Sequence, residues 1–185
     1  MTSNDWLEDR SQLGKWLTDL CLDGQGVEVG VLSGENARNW ISTWKGHLYC
    51  VDPWAPQDPR VYKERQDWTD FEACYKECQK LAEQFYPRVT LLRMLSEKAM
   101  LLFPDESLDT VYVDGNHAYE SAMADFDGWW AKIKPGGVLG AHDYWNDTTA
   151  PAWGEVKRVV QDWSKKMGLK FHHTPKCGSV WFFKP

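Results

Sequence analysis

The 185-residue sequence predicts a single α/β domain, spanning 1–185, on a doubly wound, mostly parallel sheet. Three observations carry that prediction. Short apolar runs alternate with helical patterns along most of the chain. A glycine-bearing turn closes the first run, and an acidic residue ends the second. Two strand-like runs near the C-terminal end are separated by only Lys176, Cys177 and Gly178.

The apolar runs are GVEVGV (26–31), HLYCVD (47–52), RVTLLR (88–93), LDTVYVD (108–114) and GGVLGAHD (136–143). Near-continuous apolar strands are expected where both faces of a parallel sheet are covered. Helical patterns lie between and after them, at Glu35–Trp44, Thr69–Phe85, Glu97–Phe103, Tyr119–Ile133 and Gly154–Met167. Gly115 gives the chain room to turn after Asp114. Lys134-Pro135-Gly136-Gly137 is expected to stop the helix before it, because proline cannot continue a helix and glycine permits reversal. KFHHTP (170–175) and SVWFFK (179–184) lie too close together for a parallel crossover, so a hairpin with one antiparallel strand is expected.

Composition narrows the function. Hydrophobic residues make up 43% and the net charge is −6, with no concentrated Lys/Arg surface to track phosphates, so nucleic acid is not an expected partner. No run of about 18 apolar residues suggests a membrane span, and the acidic, polar N-terminal stretch does not read as a signal peptide. The expected address is cytoplasmic. Cys21, Cys50, Cys74, Cys78 and Cys177 are too irregular for a disulfide framework; Cys74 and Cys78 read as one helix face rather than a metal pair. Of 12 tryptophans most should be core, with Trp54 and Trp145 candidates to wall a substrate pocket. Pro53–Trp68 has loop composition and is a candidate lid.

Open α/β sheets bind ligands beyond the carboxyl ends of their strands. Here the first strand runs into Glu28-Val29-Gly30-Val31-Leu32-Ser33-Gly34-Glu35, and Asp52 follows Gly30 by 22 positions, where an acidic residue accepts hydrogen bonds from ribose hydroxyls. A dinucleotide fingerprint begun at Gly30 would need glycine at 32 and 35. Leu32 and Glu35 stand there, and a carboxylate opening the helix repels a pyrophosphate. A ligand without phosphate and with positive charge fits Glu28 and Glu35 better.

With E-V-G-V-L-S-G, V-D-P-W, V-D-G-N-H-A-Y-E, D-F-D-G-W-W and K-P-G-G-V-L-G-A-H-D-Y, the chain resembles class I S-adenosylmethionine-dependent methyltransferases from about Gly26 to Tyr144. It is similar to the subgroup, family 24-like, that holds small-molecule and sugar O-methyltransferases. The resemblance implies seven strands, with the last antiparallel feature closing the sheet. It implies S-adenosyl-L-methionine as cofactor, with Gly30 and Gly34 beneath its methionine end, Glu28 near the amino group and Asp52 on the ribose. Met94 and Ser96 would lie near the adenine, although Met94 reads equally well as core.

In that strand order Asp114 and Asp143 end neighbouring strands, about 4.8 Å apart. Two carboxylates so close must share a proton, find a cation or stay wet. A divalent metal (Mg, Mn or Fe) on Asp114, His142 and Asp143 would lower the pKa of an acceptor hydroxyl. His117 would take the proton as base. Alternatively Asp114 contacts the cofactor's amino acid and His142 packs beneath a helix. Some relatives hold a metal with three carboxylates, two at the place of His142-Asp143; with a histidine here, either the ion is softer than magnesium or His142 faces away and water fills the gap. Asp125 and Asp127, further down the helix, read as solvated surface. The expected activity is methyl transfer to an oxygen of a small polyhydroxylated molecule or glycan, by a monomer or homo-oligomer. A nicotinamide-dependent oxidoreductase and a non-catalytic binding module are the alternatives.

Overall fold

The computed structural model describes residues 7–58, 60, 69–145 and 151–185, with only the backbone for 151–154. Seven strands form one sheet: β1 (Gln25–Val29), β2 (His47–Asp52), β3 (Val89–Arg93), β4 (Leu108–Val113), β5 (Ile133–Ala141), β6 (His172–Thr174) and β7 (Ser179–Phe183). Their order is β3-β2-β1-β4-β5-β7-β6. The first five are mutually parallel, and β7 runs antiparallel to both β5 and β6. The short C-terminal connection is thus the expected hairpin. From β1 the chain adds β2 and β3 on one side and β4 and β5 on the other, so the strand order reverses at the β1/β4 boundary, the switch point beyond which ligands bind in such sheets.

The helices are α1 (Leu13–Asp19), α2 (Glu35–Thr43), α3 (Phe71–Gln84), α4 (Ser96–Ala99), α5 (Tyr119–Lys132) and α6 (Pro151–Met167). Strand side chains alternate between two cores. Val111 and Val113 of β4 pack on one face with Phe126, Trp129, Val159 and Trp163 from α5 and α6. Tyr112 packs on the other with Trp16, Leu17, Trp40, Ile41 and Trp181. Both faces are covered, which is why the strands read as unbroken apolar runs.

Two differences from expectation have simple causes. Helix α1 was not anticipated, although Leu13, Trp16 and Leu17 repeat at helical spacing and are all buried. Its polar residues belong to the opposite, solvent face. Strand β5 begins at Ile133, ahead of the glycine pair, and its register with β4 shifts between Leu108 and Thr110. Lys134-Pro135-Gly136-Gly137 therefore forms an irregular strand entry rather than a turn. Pro53–Trp68 enters the candidate lid, but Pro59 and residues 61–68 lie outside the described residues.

Candidate active site

A cavity of about 900 Å³ opens over the carboxyl ends of β1, β2 and β4. The turn after β1 forms its floor. Gly30 has φ +81°, and a Cβ there would lie 2.0 Å from the Asp114 carbonyl oxygen. Only glycine allows β1 and β4 to approach this closely where they end. Gly34 also has φ +81°, but it faces Cys78 and Leu81 of α3 and caps α2 rather than lining the cavity.

Asp52 fixes the turn. Its Oδ2 accepts from the backbone N–H of Val31 (2.9 Å) and Leu32 (3.0 Å), and its Oδ1 from that of Trp54 (2.7 Å). Asp52 does line the cavity at the place expected for a ribose-binding acid, but its first task is to hold Leu32 and Trp54 at positive φ. Trp54 is no wall of the cavity: it is buried, stacks near Tyr75, and donates from Nε1 to the Leu32 carbonyl at 2.7 Å. No tryptophan among the described residues lines the cavity; Trp145 packs over Gly178 and donates to Asp143.

Glu28 is buried at 1% exposure. Asn36 Nδ2 donates to its Oε1 at 3.0 Å, while its Oε2 has no partner among the described residues. Burial pushes the Glu28 pKa up to about 8, against the pull of the Asn36 hydrogen bond and with help from the charge of Asp114. A buried carboxylate oxygen lining a cavity without a donor is a place for a cation or an ammonium group.

At the adenine end of the expected pocket, Ser96 lines the cavity and Met94 does not. Met94 packs on the core, and Met100 faces the cavity in its stead. Asp125, expected on the surface, is 6% exposed and lines the same wall. Ser96 Oγ donates to its Oδ1 at 2.5 Å and accepts from Trp129 Nε1 at 2.8 Å. Burial raises the Asp125 pKa to about 6. Asp127 is exposed, as expected, and pairs with Lys166.

Beyond β4 and β5 the structure gathers Asp114, His117, His142 and Asp143. His117 Nε2 lies 2.9 Å from Asp143 Oδ2 and 3.9 Å from Asp114 Oδ1. His142 Nδ1 lies 3.1 Å from Asp143 Oδ1 and 3.4 Å from Asp114 Oδ1. Burial alone would raise both carboxyls, but hydrogen bonds to the two imidazoles hold both below the ordinary carboxylate range. Burial works against a charged His142 as well; the same two carboxylates outweigh it and push its pKa up to about 9. Asp143 sits at φ +61°, a left-handed conformation that aspartate adopts at modest cost.

One site residue escaped the sequence. Arg10, in a 3-10 turn before α1, places Nη1 3.1 Å from Asp114 Oδ2 and lines the cavity. Nothing in the sequence around either carboxylate pointed to it. It comes from 104 positions away. Ligand atoms of Asp114, His117 and Asp143 lie within 4.8 Å of one another, whereas His142 is not part of that group. The geometry thus brings His117 to the place where the sequence reading put His142.

A seven-stranded sheet of this order, five parallel strands closed by an antiparallel C-terminal hairpin, is the Rossmann-like fold of methyltransferase domains. Residues 27–144 match the methyltransferase domain family Methyltransf_24. The chain belongs to that family. An uncharacterised Sinorhizobium fredii protein, y4gI, is 33% identical over 146 residues, 75% of this chain; the chain spans about 15% of that relative's length. Among solved structures, an O-methyltransferase from Bacillus cereus in complex with S-adenosylhomocysteine aligns with TM-score 0.63 at 12% identity, over 98% of this chain and 86% of that one. The O-methyltransferase NovP aligns with TM-score 0.68 at 15% identity, over 96% and 78%. These likenesses establish the fold. No helix among the described residues is long and apolar enough to cross a membrane.

Proposed function

We propose that the chain transfers the methyl group of S-adenosylmethionine to a hydroxyl oxygen of a small polyhydroxylated molecule or glycan. The observation that carries this reading is the partnerless Oε2 of buried Glu28, in one cavity with the His117–Asp143 pair. Glu28 accepts the α-ammonium of the cofactor. Asp52, at the carboxyl end of β2, lies where the ribose passes. The Ser96–Met100 wall receives the adenine. The sulfonium then faces the Asp114 corner, where its positive charge is favoured. The names of the structurally similar O-methyltransferases support oxygen as the acceptor atom, and the net charge of −6 argues against nucleic acid.

Methyl transfer to a hydroxyl leaves a proton to be removed. His117 lines the cavity and takes it; Asp143, 2.9 Å from its Nε2, orients the ring and stabilises the imidazolium. A second reading is favoured by the ligand geometry. Asp114, His117 and Asp143 fit a divalent cation, and two carboxylates with one imidazole suit manganese or iron better than magnesium. Bound there, the cation would supply Lewis acidity toward the acceptor hydroxyl, and His117 would serve as ligand instead of base.

Calorimetry should show binding of S-adenosylmethionine and S-adenosylhomocysteine and none of NAD; tighter binding of NAD would overturn the cofactor assignment. With an accepted hydroxyl compound, His117→Ala should lower turnover by about 10²–10⁴-fold while cofactor affinity stays within a few-fold. An equal loss of cofactor binding would make His117 a binding residue.

A further inference from the structure

The Ser96 wall of the cavity contains a polar group that the proposed chemistry does not use. Asp125 emerges from the second turn of α5 into the cavity, one residue before Phe126, which packs in the core. The residue is 6% exposed although it lines the cavity. Ser96 Oγ is the donor to Oδ1, and that hydroxyl is itself positioned by Trp129 Nε1. Trp129 is fully buried, so the chain Trp129–Ser96–Asp125 is anchored in the core and ends at the cavity. A buried carboxylate is costly unless donors reach it. One hydroxyl does not satisfy an acceptor with about four lone-pair sites. A further donor can come from a ligand that fills the cavity.

The cofactor reading of the cavity supplies such a donor at this wall. With the ammonium on Glu28 and the ribose by Asp52, the purine extends to Ser96, Met100 and Asp125. The exocyclic 6-amino group is the purine's only N–H donor. We propose that Asp125 accepts a hydrogen bond from the 6-amino group of the cofactor's adenine, and so makes the site selective for a 6-aminopurine. Selectivity of this kind is strong because a ligand lacking the donor leaves the buried acceptor unpaired. The inference rests on the cofactor assignment above.

The test pairs a ligand deletion with a side-chain deletion. S-adenosylhomocysteine and its 6-deamino analogue, with hydrogen in place of the amino group, are titrated into the wild-type chain and into Asp125→Ala and Asp125→Asn. The wild type should prefer the amino compound by about tenfold or more. Asp125→Ala should level the two ligands, and Asp125→Asn should keep part of the preference, because its amide oxygen still accepts. A structural role alone would weaken both ligands equally and leave their ratio intact, a result that would overturn the proposal even if a variant were less stable. A wild-type ratio near one would overturn it too. Failure of the wild type to bind S-adenosylhomocysteine would instead overturn the cofactor assignment, and this inference with it.

Discussion

Glu28, proposed to receive the cofactor's ammonium, is buried at the expense of stability. Its folded pKa of about 8 lies well above the ordinary value of 4.5, because the buried charged form is disfavoured. The folded state therefore holds a proton that the unfolded state releases. Stability from this group is intact below about pH 4.5 and falls as pH rises toward 8. At pH 7 the loss is at most roughly 3 kcal/mol, taking about 1.4 kcal/mol per pH unit. Glu28→Gln keeps the shape and the oxygen that Asn36 reaches. It should raise the melting temperature of the ligand-free protein at pH 7–8, remove most of the pH slope between 5 and 8, and weaken cofactor binding. Melting curves at several pH values check the first two outcomes, and calorimetry the third. A variant less stable than wild type at pH 8 would mean that Glu28 is held charged by partners in the ligand-free state. Asp125 teaches the converse at the same scale. As an acid further down the helix it reads as surface, yet Ala122, Asp125, Phe126 and Trp129 share the buried face of α5. The helical period carried that information; residue type obscured it.

At the scale of elements, the order of strands and helices was legible because the central parallel strands β1 and β4 are buried on both faces and the long helices carry one apolar face. Boundaries moved where backbone geometry rather than side-chain polarity decides, as at Ile133–Gly137. Helix α1 was missed because seven residues with three apolar contacts give a faint periodicity. The turn after β1 was legible from its glycines, but their different duties were not. Gly30 and Gly136 both have φ +81°, so an alanine at either carries the same backbone penalty, about 1–2 kcal/mol. They differ in surroundings: a Cβ at Gly136 meets nothing within 4 Å, whereas at Gly30 it meets the Asp114 carbonyl at 2.0 Å. Gly136→Ala should therefore cost only about the backbone penalty. Gly30→Ala should cost about 3 kcal/mol or more and should also abolish cofactor binding, because β1 and β4 must part. Denaturant melts of the two variants measure the steric difference directly. Equal destabilisation would mean that the β1–β4 junction can relax.

At the scale of the whole molecule, the acidic corner is completed by a part of the chain that no local motif announces. From the sequence, Asp114 and Asp143 were expected to share a proton, find a cation or stay wet. The fold answers with Arg10 from the N-terminal side and with His142, whose pKa of about 9 keeps it charged at neutral pH. Two negative and two positive side chains then share the corner, so the carboxylates alone no longer require a metal. A divalent ion at Asp114, His117 and Asp143 would have to enter against the guanidinium 3.1 Å from Asp114. The cation reading thus makes a signed prediction. A divalent cation and a guanidinium about 5 Å apart in a water-like dielectric repel by roughly 1–2 kcal/mol, so Arg10→Ala should bind manganese about tenfold more tightly than wild type. Lys15→Ala, which removes an exposed base paired with Asp19, should bind it as wild type does. Calorimetric titration of manganese into the three proteins measures this. Activity in excess chelator completes the test, since loss of turnover restored by manganese supports the cation and full turnover supports His117 as the base. If no protein binds manganese and chelator changes nothing, Arg10 and His142 are the counter-charges of a metal-free site, and Asp114 is left to hold Arg10 over the cofactor.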